Sequence, residues 1–598
     1  MQIMPPHPYA NRMAQDLFDA LWLEDLYGFR AQCTMYPLAG GETMLEIALG
    51  GMRSLHWRGR KAEGLRPFRV SSARADLRTG THRAKLELGM IGETLQTANW
   101  WGNTTGRFAR LFHLACGQAM FAAMHEHRIV ERLMAAPDDL LSWEALSCLK
   151  DRPFHPLARA KDWNGSDGSP YATETMAPLP LRWVAVPRDR ALGTALTGQP
   201  PAGLLLDRAQ QDVLANIART LHADSAGWLW LPVHPWQWAW LNRSAPSSIT
   251  GCIDLGIGPG AGTSTASLRS LAIEERSGTH LKLSLSVHTL GAIRALPPRY
   301  LHNAILASAC LESLRQRDGW LAANLLLCDE SQWWALSQGD ALVSEPGELS
   351  CMIRRYPALP GATLIPMAAL PVVAADGELP AFNYLTGLAD QEAAWGLFGD
   401  IARALLELGL RCFAQGVMPE LHAQNVLLAF ERPCSRDRRI AALILRDHDT
   451  LRVCRPLMEA RGVAVPEYIV DRNTPNTLEL STPAELLAYL QTLAIEVNLY
   501  AILAALASYY ERDEAHGWRI VRNMLETCLA CIPLPGEIGS QTKDLLLKED
   551  QWPFKQLLAP LLGVTRFGTG MPSAMGRIAN PLSTASPPSP KAIGSHAR

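Results

Sequence analysis

Hydrophobic positions change their spacing from region to region along this chain. In "MAQDLFDALWLEDLYGF", beginning at Met13, apolar residues recur at helical intervals and gather on one face. "HRAKLELGMI", beginning at His82, is closer to alternation and predicts a strand. Beyond about residue 150 come short β-like runs, "LRWVAVP", "GWLWLPV" and "THLKLSLSVHTL", separated by Pro and Gly, with "GCIDLGIGPGAGTSTAS" as the most turn-like stretch. Helical spacing returns after about residue 350. There "STPAELLAYLQTLAIEVNLYAILAALASYY" starts with Thr482 at the N-cap, Pro483 at the first turn and Glu485 three residues after the cap, and predicts a long, largely buried helix. The last stretch is rich in Ser, Pro and Gly. The pattern predicts an α+β multidomain protein with an N-terminal lobe over 1–148, a sheet-bearing lobe over 149–350, a mostly helical lobe over 351–564 and a disordered tail over 565–598.

Composition narrows the function classes. With 598 residues the chain exceeds one ordinary core, and 48% hydrophobic against 19% charged residues is a globular balance. A net charge of -2 supplies no global positive field, which disfavours nucleic acid as a partner. No signal-peptide pattern opens the sequence, and apolar windows such as "AILAALA" fall short of the ~20 residues that cross a bilayer, so the expectation is a cytoplasmic protein without a membrane partner. The 12 cysteines are scattered; Cys528 and Cys531 form a C-x-x-C pair with no second pair at ligand spacing, and are read as helix-face thiols rather than a zinc site.

Several stretches could carry chemistry. "GPGAGTSTASLRSLA" (258–272) joins glycines, hydroxyls and Arg269, a composition suited to a phosphate cradle, although a plain surface loop is equally open. Gly256, Gly258 and Ala261 touch a dinucleotide fingerprint, but Pro259 interrupts it. In "HLKLSLSVHTLGAIRAL" a strand would put Lys282 opposite an apolar face, with Arg294 closing the unit, and a solvated strand face is an equally open reading. "RPFHPLARAK" gathers Arg152, His155, Arg159 and Lys161 on a proline-bounded loop, where guanidinium and imidazolium donors suit a multiply charged anion or, equally, solvent. His234 of "LPVHPWQW" reads as a structural histidine. "PELHAQNVLL" (419–428) sets Glu420, His422, Gln424 and Asn425 at the start of an apolar strand, and "ALILRDHDTLRV" ends another in Arg446, Asp447 and Asp449. Such strand ends can converge on a divalent ion that bridges phosphates, with Asn425 and Asp447 as hard-oxygen ligands, or can simply cap a hairpin.

Taken in order, His155-Pro156, "HPWQ", "SLRS", "KLSL…AIRA", "HAQN" and Arg446-Asp447 resemble the aerobactin-synthetase (IucA/IucC-type) family, siderophore synthetases independent of non-ribosomal peptide synthetases. The resemblance implies a hand-like fold with thumb, fingers and kinase-like palm, working as a homodimer. It implies an ATP-dependent ligase in which a carboxylate of citrate or a related acid attacks the α-phosphate, pyrophosphate leaves, and an amine or alcohol captures the acyl adenylate. Carried over residue by residue, it gives Ser267, Arg269, Ser270, Lys282 and Arg294 to the phosphates and the forming acyl phosphate. It gives His422, Gln424 and Asn425 to the nucleotide or carboxylate site, Asn425 and Asp447 to Mg²⁺, and His155, Arg159 and Lys161 to triphosphate and substrate carboxylates; Glu420 matches an acidic position. Arg269, Lys282, Arg294 and His422 are the expected catalytic residues. Ser270 in place of Thr, Ala423 in place of Gly and Arg152 in place of a first histidine depart from the family pattern. A kinase-like phosphotransferase releasing ADP and a non-catalytic siderophore-binding protein are the competing readings.

Overall fold

A computed structural model describes residues 8–583 apart from 103–104, 195, 197, 338, 340–341, 344, 432–438, 472–476, 535 and 566. The first helix, Pro8–Leu23, lies on a five-stranded antiparallel meander, Cys33–Pro37, Thr43–Gly50, Arg53–Lys61, Phe68–Thr79 and His82–Leu86. Phe18, Trp57, Phe68, Phe108 and Phe112 fill the space between them and the helix Arg107–Ala135. The strand expected from His82 stops at Leu86, because Leu88, Ile91 and Leu95 recur at helical spacing and bury one face of the helix Leu88–Gln96.

The central element is an eight-stranded antiparallel sheet in the order Ala191–Gly193, Asp329–Leu336, Ser350–Arg355, Thr279–Leu283, Ser270–Ile273, Ile253–Ser264, Pro178–Pro187 and Trp228–Val233. Residues 253–264 form a strand rather than a glycine-rich turn, with the register slipping between Ile257 and Ala261. Its glycines answer to packing: a Cβ on Gly258 would lie 2.5 Å from the Trp183 ring, and Gly260 holds φ +87. The run from Thr279 is also two strands. It breaks at Ser284, and Leu285–Thr289 joins a separate small sheet between Ala292–Arg294 and Lys161–Asp162, which ties the end of the basic loop and Arg294 to one middle strand, with Arg294 opposite Leu285 and Lys161 opposite Thr289. Neither face of Thr279–Leu283 is solvated, and Lys282 is only 4% exposed.

Beyond residue 360 the helices Gln391–Ala414 and Glu514–Cys531 pack around the buried helix Pro483–Tyr509. That helix begins with the expected capping box between Thr482 and Glu485, then widens into a π-helical stretch at Leu490–Leu499. It is long and apolar enough to cross a membrane, but 94% of its most apolar window is covered by protein. Cys528 and Cys531 lie on Glu514–Cys531, as helix-face cysteines. The two expected strands, Val426–Glu431 and Ile440–Leu445, pair and form the centre of a four-stranded sheet whose outer strands, Leu325–Leu327 and Ala362–Pro366, the pattern did not announce. Tyr9, Trp143 and Phe154 share one core with Trp395, Tyr500 and Trp552, so the N-terminal residues close over the C-terminal helices. The expected tail begins too early: Ala574–Ala579 pairs with Gln551–Gln556, and Ile578 and Leu582 are buried, which a composition average over many small residues conceals. Residues 584–598 lie outside the described residues.

Candidate active site

The hairpin Val426–Glu431/Ile440–Leu445 sets the geometry. Val426 pairs with Leu445, so Asn425 and Arg446 leave the sheet side by side, and the Arg446 amide donates to Asn425 O at 3.1 Å. Arg446 is buried and held at two of its nitrogens: Nε donates to Gln424 O at 2.8 Å, and Nη1 donates to Tyr356 Oη at 2.6 Å and to the Glu144 carboxylate. It therefore pins the two polar segments to each other. Asp447 then turns through the left-handed region, φ 60, which aspartate tolerates better than most residues. Its carboxylate meets Lys282 Nζ and Arg354 Nη2. Burial alone would raise the Asp447 pKa, but Arg354 and Lys282 hold it well below the usual carboxylate range. Glu330 locks this arrangement, accepting from Arg354 Nε at 2.6 Å and from the Asp447 amide at 2.9 Å.

On the facing side, Glu420 accepts from Asn425 Nδ2 at 2.9 Å and from Thr450 Oγ1 at 3.1 Å, with Arg452 Nη2 at 4.0 Å. Burial pushes Glu420 up, yet Arg452, Lys555 and the bond from Thr450 outweigh it and hold its pKa below the usual carboxylate value. His422 Nδ1 accepts from the Gln424 amide at 3.3 Å, and burial with the nearby Arg152 pulls His422 down to about 4. At neutral pH it is an uncharged imidazole. Asp449, buried near Asp447, is pushed the other way by desolvation, although Lys282 opposes the shift.

The turn 265–269 supplies donors. Leu268 sits at φ 64, the Arg269 amide donates to Ser267 O at 2.8 Å, and Leu283 N donates to Arg269 O at 2.7 Å, so the turn is fastened to the Lys282 strand, where Ser270 is the direct cross-strand neighbour of Lys282. Arg269 Nη1 donates to Arg294 O and Ala295 O, both at 2.9 Å. The hydroxyls of Ser267 and Ser270 and the Nε of Arg269 are buried without a partner. These three donors lie together, two in the turn and one at the start of the strand that follows it, and could serve acceptor oxygens. Burial and the adjacent Arg294 depress Arg269 to about 9, and burial also depresses Arg294. The charge of Arg294 is felt by His422, and Asp447 acts on both arginines, so the Ser/Arg turn, Lys282, Arg294, the His422 loop and Asp447 form one site.

The basic loop is placed differently from expectation. Arg159 is 2% exposed and commits its donors to Asp151 at 2.6 Å, Glu174 at 3.0 Å and Cys148 O at 2.8 Å, which makes it an internal brace. Lys161 Nζ lies 3.9 Å from Glu174. His155 accepts from the Leu157 amide at 3.1 Å and keeps a buried, unpartnered Nε2; burial and Arg152 draw it down to about 3, so it offers a neutral ring rather than the expected imidazolium. His234 is structural, capping the helix Pro235–Ser244 by accepting from Trp236 N at 3.2 Å. Sequence reading passed over Arg354, Glu330, Arg452 and Lys555. Arg354 and Lys555 sit within strands, where an isolated charge reads as a solvated face; the apolar neighbours in "SCMIRRYP" were the available signal of burial.

A family model described as the IucA / IucC family matches residues 139–372. Staphyloferrin B synthase of Staphylococcus aureus is 31% identical over 467 residues, covering 74% of this chain and 76% of that protein. The chain belongs to the IucA/IucC family of siderophore synthetases. A second model, described as ferric iron reductase FhuF-like transporter, matches residues 397–568. The citryl-spermidine/3,4-dihydroxybenzoyl-citryl-spermidine:spermidine ligase of Bacillus anthracis is 23% identical over 398 residues, covering 62% of this chain and 63% of that protein. Among solved structures, the petrobactin biosynthesis protein AsbB of B. anthracis superposes with a TM-score of 0.76 at 17% identity, covering 96% of this chain and 95% of its own. ATP-bound aerobactin synthetase IucA of Klebsiella pneumoniae superposes with a TM-score of 0.67 at 19% identity, covering 96% and 100%. The fold is thus a mixed α/β multidomain one shared with these proteins, and relatives named as synthase and ligase support a ligase role.

Proposed function

We propose that this chain is an ATP-dependent ligase that adenylates a carboxylate of citrate or a related polycarboxylic acid and passes the acyl group to an amine or alcohol, releasing AMP and pyrophosphate. The observation that carries the reading is the cradle: two serine hydroxyls and a guanidinium Nε, buried and unanswered, beside Lys282 and Arg294. A polycarboxylate and a triphosphate repel each other, so the protein must hold cationic donors in place before either arrives. Ser267, Arg269 and Ser270 take phosphate oxygens. Lys282 and Arg294 stabilise charge that develops on the α-phosphate as the carboxylate oxygen attacks it and the bond to pyrophosphate breaks. His422 is uncharged at neutral pH and, with Gln424, orients the acid by hydrogen bonds. A neutral amine then attacks the acyl carbon, AMP departs with the bonding electrons, and the nitrogen loses a proton.

Asn425 and Asp447 offer the hard oxygens that would hold Mg²⁺, with Asp447 kept ionised by Arg354 and Lys282. When bound, the ion neutralises phosphate charge. Lys161 and His155 face the acid side of this reading, while Arg159 braces their loop. In this reading the protein has the hand-like plan of thumb (1–148), fingers (149–350) and kinase-like palm (351–564) and acts as a cytoplasmic homodimer. The test is a pyrophosphate-release screen of citrate, 2-oxoglutarate and citryl conjugates with hydroxylamine as a universal trap. Release dependent on one acid, with AMP as coproduct, is expected; ADP as product, or no turnover with any acid, contradicts the reading.

A further inference from the structure

The turn that carries Ser267 and Arg269 is strained, and the strain falls on a leucine. The Arg269 amide donates to Ser267 O at 2.8 Å across Leu268, whose φ is 64, so residues 267–269 form a γ-turn of the positive-φ kind, the rare and costly form. Glycine takes this conformation freely; leucine does not, and it has no polar side-chain atom with which to ease it. A bulky residue persists there only where its surroundings over-determine it, and such outliers cluster at functional sites.

Two separate fixtures hold the turn. The buried Leu268 side chain sits in an apolar cluster with Trp163, Trp236, Leu285 and Val287. The second fixture is polar: Thr265 O accepts from the Leu268 amide at 2.9 Å and also from Thr173 Oγ1 at 2.6 Å, a bond that reaches across 92 positions of sequence. Ser264 Oγ donates to Tyr171 O at 3.3 Å, so the segment 171–173 is fastened to the entry of the turn at two points. Leu268 brings no polar group, and the Thr173 hydroxyl is committed to a carbonyl, so neither handles phosphate itself. What they fix is the place of the donors without partners, the Ser267 and Ser270 hydroxyls and Arg269 Nε.

We propose that Leu268 is a positioning residue: its apolar seat, together with the Thr173 bond, holds the strained turn in its phosphate-receiving shape before ATP arrives. The proposal rests on the ligase reading for the nucleotide and adds the residues that shape its site. The test compares full-length wild type with Leu268→Gly, Leu268→Met, Thr173→Val and Thr173→Ser. Glycine accepts the positive φ but leaves the seat empty, and methionine refills it. Valine removes the hydroxyl while Thr265 O keeps its bond from Leu268, and serine restores the hydroxyl. Leu268→Gly and Thr173→Val should weaken ATP·Mg²⁺ binding in calorimetry, and raise KM for ATP, by about tenfold or more, with KM for the acid unchanged. Leu268→Met and Thr173→Ser should stay within about threefold of wild type. Loss of folded protein lowers the number of sites and the apparent kcat but leaves Kd and KM in place, so a merely structural role does not give this split. Wild-type Kd and KM for ATP in Leu268→Gly, or Leu268→Met weakened as much as Leu268→Gly, overturns the proposal. Should Leu268→Gly not fold, the threonine pair decides, and unchanged nucleotide affinity in Thr173→Val overturns it. Wild type that binds ATP·Mg²⁺ but forms no AMP with any acid under hydroxylamine trapping overturns the ligase reading alone, because the calorimetric comparison still tests Leu268; wild type that binds no nucleotide overturns both.

Discussion

Replacing Arg269 with Met separates a binding role from a structural one. In the protein without nucleotide, Arg269 makes two hydrogen bonds, to Arg294 O and Ala295 O, and leaves Nε unanswered. Losing the two bonds costs about 1–3 kcal/mol. Against that, burial and Arg294 hold the guanidinium down to about 9, so at neutral pH its charge is a burden until an anion arrives. For a cation depressed in this way the unfolded chain binds more protons above about pH 9, so stability recovers only in alkali and the full penalty is present at pH 7. The two effects oppose each other, and the net change in Tm should be no more than about 3 °C. Catalysis has no such compensation: loss of a preorganised contact to a phosphate should cost ~3 kcal/mol, on the order of a hundredfold in rate. Pyrophosphate release and thermal unfolding with and without ATP·Mg²⁺ form the assay. At a nucleotide concentration of ~100 Kd the wild type gains about 2.7 kcal/mol, and the variant should gain clearly less. A variant with wild-type turnover, or one whose Tm falls by far more while nucleotide stabilisation is intact, refutes the cradle.

Three further outcomes follow from the same geometry. Asn425→Leu removes one of the donors to Glu420 but leaves Thr450 and Arg452, so Tm should change little while ATP·Mg²⁺ affinity, measured calorimetrically, falls by about tenfold; unchanged affinity counts against the metal assignment. His422 is depressed to about 4, so the unfolded chain binds more protons between about pH 4 and its ordinary value, and stability falls as pH drops through that interval; denaturation at pH 7 and pH 5 should show a smaller loss in His422→Gln. Glu144→Ala strands the buried charge of Arg446, which should destabilise by about 3–5 kcal/mol in denaturant titration and displace Asp447; a loss below about 1 kcal/mol would remove Arg446 as the pin.

The features legible in the sequence were those written locally. The capping box at Thr482 needs only neighbouring residues, and the polar ends of "PELHAQN" and "RDHD" lie on strands whose apolar runs announce them, so their convergence could be anticipated. Features that depend on distant partners were hidden. Lys282 looked like the wet side of a strand because nothing near it in sequence reveals that Asp447 covers it. Arg159 looked like an anion-binding residue because Glu174, its counter-ion, is fifteen positions away on an irregular segment. The glycines of 256–262 looked like a turn because a bulged strand that must pass the Trp183 ring calls for the same residue type.

The central claim is that the cationic turn, Lys282 and the His422–Asp447 loops bring a carboxylate oxygen onto the α-phosphorus of ATP. Citrate labelled with ¹⁸O in its carboxylates, incubated with enzyme, ATP, Mg²⁺ and hydroxylamine, tests it directly by mass spectrometry of the products. The account predicts one labelled oxygen in AMP and none in pyrophosphate. Label in inorganic phosphate, or unlabelled AMP, would contradict it.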